Sequence, residues 1–176
     1  MIGAHVEHKD EFFIAGFRET VQQGAGIGSL WKKLTEHAEA RGVTMPEVHS
    51  MGVIVGMNTS GQFDYMAGIV VENLETAQAL GLNALKVDGG DFAVTHVEGP
   101  VPMSIMAGVD HLMGTFLPQS GFKPNGPVFE AYGPGDPTAQ DYQMQIWVPV
   151  MVAKPFTILP LRVAVFSGVF SPLNKK

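Results

Sequence analysis

One acid in this chain stands where an acid is costly. Glu130 lies in the run Pro127-Val128-Phe129-Glu130-Ala131-Tyr132. A carboxylate among Val128, Phe129 and Ala131 faces a heavy desolvation penalty if it is buried without a partner. Side chains alternate across a strand, so Glu130 and Tyr132 share one face. Two readings stand side by side. In one, Glu130 lies on a wet sheet face or bonds to a neighbouring tyrosine or backbone N–H. In the other, it is the polar determinant of an aromatic cleft that receives a cationic or electrophilic small molecule. Trp147, in Gln145-Ile146-Trp147-Val148-Pro149, shares a strand face with Gln143 and Gln145 and is therefore less obviously core than Trp31.

Other chemistries find little support. The histidines His5, His8, His37, His49, His96 and His111 form no H-E-x-x-H or comparable ligand spacing, and the sequence implies neither a metal site nor a cofactor. No G-x-S-x-G is present; Ser29 and Ser120 stand at helix boundaries, where serine caps or turns. Gly24, Gly26 and Gly28 lack the following Lys-Ser/Thr of a phosphate loop and read as an ordinary loop. Cysteine is absent, which excludes disulfides, thiolate metal sites and a cysteine nucleophile.

These residues need elements to position them. The 176 residues are 45% hydrophobic and 16% charged, enough for one domain with a substantial core. A net charge of -6 argues against autonomous nucleic-acid binding, and no apolar run is long enough to span a membrane. The N-terminus has no apolar signal region, so a cytoplasmic protein is expected. Glu11 to Val21 reads as a strand, and Leu30, Trp31, Leu34 and Ala38 as the apolar stripe of a helix that stops at Gly42. Met51–Met57 and Phe63–Val71 form a hairpin across Asn58-Thr59-Ser60-Gly61. Glu72 to Leu85 is expected to be a short irregular helical linker that ends at Gly89-Gly90.

The pattern then starts again: a strand over 92–98, a helix over 103–116, and strands over 128–132 and 142–148. Gly42 and Gly121 are 79 positions apart, and Asp64-Tyr65 and Asp141-Tyr142 are 77 apart. A nearly constant offset predicts an internal duplication. The expected fold is α+β, with tandem strand-helix-strand-strand repeats over about 11–71 and 91–150. The repeats would be related by a pseudo-two-fold, with an antiparallel sheet, two helices over one face and a central cleft between the halves. Ten methionines suit either a core or a pocket that adapts to ligands of varied shape.

Phe63-Asp64-Tyr65-Met66-Ala67-Gly68, the helix ending before Gly121-Phe122-Lys123-Pro124, the segment 127–132 and Ile146-Trp147-Val148-Pro149-Val150 occur in an order and spacing that resembles the GyrI-like family. That family includes the effector-binding domains of some AraC-type and MerR-type regulators. The resemblance implies that residues 1–150 are one effector-binding domain, able to bind multiple lipophilic, often cationic compounds in its cleft, with Glu130 at the family's glutamate position. The candidate ligand-binding set is Glu130, Tyr132, Trp147, Trp31, Phe116, Tyr65 and Phe17. The favoured function is a stand-alone protein that binds or sequesters such compounds. A hydrolase of cyclopropane-bearing electrophiles, with Glu130, Tyr132 and Trp147 as catalytic residues, is the alternative. A gyrase-inhibitor-like interaction module is the third reading. No helix-turn-helix accompanies the domain. Residues 151–176, with Val163, Val165 and Val169, stay unassigned between an added strand, a homodimer contact and a tail that covers a sheet edge or lies disordered.

Overall fold

The computed structural model describes residues 3–22, 25–45 and 49–153. In chain order the elements are β1 (Ala4–Lys9), β2 (Phe12–Gln22), α1 (Ile27–Glu39), β3 (Ser50–Met57), β4 (Gln62–Val71), α2 (Leu74–Ala79), β5 (Asn83–Val87), β6 (Gly90–Glu98), α3 (Met103–His111), a π-turn (Leu112–Phe116), α4 (Leu117–Ser120), β7 (Phe122–Pro124), β8 (Val128–Tyr132) and β9 (Gln143–Val152). All strand pairs are antiparallel, in the order β1-β6-β9-β8-β3-β4-β2-β5, with β7 added on β9.

The order reads alike from either end. From β5 inward the strands are β5-β2-β4-β3, and from β1 inward they are β1-β6-β9-β8. Each half therefore places its first, third and second repeat strands in that spatial order, and the halves meet where β3 pairs with β8. This is the expected tandem arrangement. The landmark glycines are equivalent too: Gly42 and Gly121 each take a left-handed conformation, φ 76°, just past a helix end. The Asp-Tyr pairs are not equivalent. Asp64-Tyr65 lies inside β4, whereas Asp141-Tyr142 precedes β9.

Two strands arise where the sequence does not announce them. In β1, polar His5, Glu7 and Lys9 alternate with Ala4, Val6 and His8, and β5 occupies the end of the expected helical linker. Both are held by one continuous pairing scheme. Residue numbers in every pair of β1 with β6 and of β2 with β5 add to 99, from Ala4 with Thr95 to Gly16 with Asn83. The ladder is broken only at two facing two-residue links, Asp10-Glu11 and Asp88-Gly89. A Cβ on Gly89 would stand 3.1 Å from the Glu11 amide nitrogen, so glycine permits the links to touch.

That stitch joins the two edges of the strand order and rolls the sheet. Phe12 of β2 meets Trp147 of β9 edge-on, centroids 6.1 Å apart, although β4, β3 and β8 lie between them in the hydrogen-bonding order. The inner face of the roll packs Ile14, Met51, Val53, Phe92, Val94 and Phe129 into one core. The outer face carries the helices. Leu30 and Leu34 of α1 pack on Phe63, Ala67 and Ile69, while Ile105 and Leu112 pack on Ala93, Ile146 and Val148.

The helix after β6 runs past the expected Phe116 to Ser120, but not as regular α-helix. Pro118 has no N–H and would clash with the carbonyl four residues back, and the π-turn at 112–116 accommodates it. Beyond position 150, β9 continues to Val152; the expectations for Val163, Val165 and Val169 lie outside the described residues.

Candidate functional site

The β3–β8 ladder lies on the pseudo-two-fold, and its outer face is the ground of the cleft between α1 and α3. Gly52 pairs with Glu130, and Ile54, two residues on along the same face, pairs with Tyr65 of β4. Period-two alternation therefore puts Glu130, Tyr132 and Tyr65 on this outer face. Glu130 is 4% exposed. Its Oε2 accepts hydrogen bonds from Tyr65 Oη at 2.7 Å and Tyr132 Oη at 2.9 Å. Tyr65 Oη accepts in turn from Trp31 Nε1 at 3.0 Å, and the Trp31 ring meets Tyr132 edge-on at 5.0 Å.

Glycine makes this constellation fit. A Cβ at position 52 would lie 2.2 Å from Glu130 Oε2 and 2.3 Å from Tyr65 Oη. Any side chain there would occupy the space of the carboxylate. A glycine inside a strand is itself a signal of close approach, and that signal is present in Ser50-Met51-Gly52-Val53.

Burial pushes the Glu130 carboxyl above its ordinary value, and the two tyrosine hydrogen bonds oppose the shift without cancelling it. Burial, followed by the nearby Glu130 charge, raises Tyr65 and Tyr132 well above the ordinary phenol value. Both tyrosines are therefore fixed as neutral donors. Among the described residues Glu130 Oε1 takes no hydrogen bond, and it is not one of the sealed, partnerless side-chain atoms, of which Ser104 Oγ is the single example there.

An open cavity of about 1730 Å³ adjoins this cluster. On the helix side its wall includes Ile27, Trp31, Met45, Pro102, Met106 and Tyr132; Met51, Phe12 and Trp147 reach it from the inner face of the sheet. Glu130 and Tyr65 are not wall residues. They lie one layer down, with Trp31 and Tyr132 in the wall above them.

The structure thus brings Trp31, Tyr65, Glu130 and Tyr132 together. It separates Trp147, which pairs with Phe129 and so points to the inner face, away from Glu130. There Lys9 Nζ stands 3.7 Å from the Trp147 ring centroid, and Trp147 Nε1 donates to Gln145 Oε1 at 2.7 Å. Phe17 packs outside the cleft against His37 and Lys33 of α1. Phe116 belongs to the core beneath α3. Gly52, Met45, Pro102 and Met106 are the site residues that the pattern alone did not single out. Among the described residues no cluster of three His, Asp or Glu side chains could hold a metal, and no helix is long and apolar enough to cross a membrane.

Residues 5–150 match the family model Cass2, integron-associated effector binding protein. Among curated proteins none matches the chain. Solved structures share the fold. SAV2435 bound to tetraphenylphosphonium is 19% identical with a TM-score of 0.64, covering 85% of this chain and 94% of that one. The integron cassette protein VCH_CASS2 of Vibrio cholerae is 19% identical with a TM-score of 0.61, covering 85% and 96%. The EcmrR C-terminal domain is 14% identical with a TM-score of 0.63, covering 86% and 99%.

Proposed function

This chain belongs to the Cass2 family of integron-associated effector binding proteins, and from that premise we propose that it captures lipophilic organic cations in the cleft between α1 and α3, with Glu130 as the counter-charge. One observation carries the reading: a buried carboxylate shares a single oxygen between two tyrosine hydroxyls at 2.7 and 2.9 Å beside a large apolar cavity. A buried acid without a cationic partner has a raised pKa. A cation arriving in the cleft supplies the missing partner, lowers that pKa and is held by the resulting charge. Trp31 and Tyr132 supply ring faces for cation–π attraction, and Met45 and Met106 adapt to the ligand's outline.

Tetraphenylphosphonium, the ligand of the similar SAV2435 structure, is a suitable probe because it has fixed charge and no donor. Calorimetry is expected to show saturable binding to the wild-type chain and much weaker binding of neutral triphenylphosphine oxide. Glu130→Gln keeps the shape and removes the charge, and should weaken binding of the cation while leaving binding of the neutral probe nearly unchanged. Equal binding of the cation and the neutral probe would sink this reading.

The raised Glu130 pKa also favours a second reading, proton transfer to or from a bound electrophile. Turnover of a cyclopropane-bearing electrophile by the wild type, lost in Glu130→Gln with binding intact, would mark that chemistry.

A further inference from the structure

The cavity beside Glu130 has a second lobe, on the other face of the sheet. The β3–β8 ladder ends where Met51 pairs with Ala131. Ser50, Ala131 and Gly133 line the cavity at that point, so the open space turns past the strand ends onto the inner face. Lys9, Phe12, His96, Gln145 and Trp147 line it there. Register and alternation put them on that face: Trp147 pairs with Phe129, Gln145 with Ala131 and His96, and Lys9 lies two residues from Glu7, the partner of Phe92. The capture of a cation beside Glu130 uses none of these five residues.

The inner lobe is an aromatic corner with fixed polar groups. Phe12 and Trp147 stand nearly perpendicular, at 89° with centroids 6.1 Å apart, and Met51 lines the lobe beside them. Lys9 Nζ is 3.7 Å from the Trp147 ring centroid and pairs with Glu7, and its side chain is only 16% exposed. An ammonium carries three N–H donors, so the bond to Glu7 leaves donor capacity in a side chain that lines the lobe. Trp147 Nε1 donates to Gln145 Oε1 at 2.7 Å, and Gln145 Nε2 donates to His96 Nε2 at 3.2 Å, which fixes the indole. Charge then selects the occupant. Lys9 repels a second cation from the Trp147 ring. A carboxylate would meet Asp10, which lines the same lobe, and Glu7 beside the ammonium. A neutral acceptor meets neither penalty and takes a charge-assisted hydrogen bond from Lys9.

We propose that the inner lobe is a second binding subsite, for a neutral aromatic group that carries a hydrogen-bond acceptor, such as an aryl ketone. The ring packs in the corner of Phe12 and Trp147 against Met51, and the carbonyl oxygen accepts from Lys9 Nζ. At about 1730 Å³ the whole cavity is larger than the roughly 300–1,000 Å³ of a pocket for one drug-sized ligand, so both lobes are filled at once. The subsite does not depend on what the outer lobe takes.

The chain has two tryptophans, Trp31 in the outer lobe and Trp147 in the inner one, so the two indole N–H signals of ¹⁵N-labelled protein report the lobes separately. The probe is 2-acetylnaphthalene, and 2-isopropylnaphthalene is a control of similar outline without the acceptor. The ketone is expected to shift the Trp147 signal in the free chain and again with tetraphenylphosphonium already bound. Lys9→Met should weaken the ketone roughly tenfold, the loss of one charge-assisted hydrogen bond, and leave the hydrocarbon's affinity unchanged. The proposal is overturned if the ketone moves only Trp31, if tetraphenylphosphonium displaces it, or if Lys9→Met affects both naphthalenes alike. Tighter binding of 2-naphthoate than of the ketone would make the lobe an anion site and equally overturn it. Should tetraphenylphosphonium itself not bind, the cation reading falls alone, because titration of the free chain with the ketone still reads Trp147.

Discussion

Gly52 faces Glu130 across the central β3–β8 ladder, and the space that a β-carbon would take is filled by the carboxylate. The acid is therefore positioned as much by the missing side chain opposite it as by the tyrosines that bond to it. Gly52→Ala must move Glu130 or the Tyr65 hydroxyl. The expected result is a stability loss of about 1–3 kcal/mol, typical of overpacking, together with weaker tetraphenylphosphonium binding. Urea unfolding and calorimetry on the same variant check both.

Removing one tyrosine hydroxyl should change the acid, and at Tyr65 it also takes the acceptor from Trp31 Nε1. The Tyr65 and Tyr132 hydrogen bonds favour the ionised form of Glu130, so Tyr65→Phe should raise its pKa further. The pH at which cation binding is lost on acidification should then move upward relative to wild type. A pH series of binding isotherms reads the shift. No movement would mean that the two residues are not coupled.

The same acid makes a signed contribution to stability. A carboxyl whose folded pKa is raised binds more protons in the folded state than in the unfolded state. Its contribution is most favourable below its ordinary value of 4.5 and declines as pH rises through the raised folded value. Glu7 and Asp64, whose pKa values are lowered by their partners, act in the opposite sense. Comparing wild type with Glu130→Gln isolates the effect: the variant should gain stability relative to wild type as pH is raised above about 4.5, measured by denaturant unfolding over a pH series.

Lys9 already sits on the Trp147 ring, at 3.7 Å, and pairs with Glu7 at 2.5 Å. A ligand cation is therefore not expected to use that ring. Trp147→Phe should change tetraphenylphosphonium affinity less than Trp31→Phe does, and Lys9→Met should alter Trp147 fluorescence while leaving affinity nearly intact. A larger affinity loss at Trp147 than at Trp31 would relocate the site to the inner face.

Local pattern alone determined the regular parts of this protein. The period of Leu30, Leu34 and Ala38, the turn residues at 58–61 and the repeated glycines at 42 and 121 mark a helix, a hairpin and a duplication, because these signals act over a few residues of chain. An acid in an apolar strand was visible for the same reason: Glu130 contradicts its neighbours. Other features depended on partners far away in sequence. β1 and β5 are weak strands by composition and exist because their backbone groups pair with β6 and β2. Alternation along β9 placed Trp147 with Gln145 correctly, yet only the register with β8 shows that this face is opposite to Glu130. A single-residue change of register would have exchanged the two faces, and no one-strand pattern contains that information. Phe17 and Phe116 were plausible as aromatics, but aromatic character does not distinguish a cleft wall from the packing beneath a helix. Gly52 shows the same division: its presence in the strand was a local signal, and what it makes room for was decided by the strand that arrives 78 residues later.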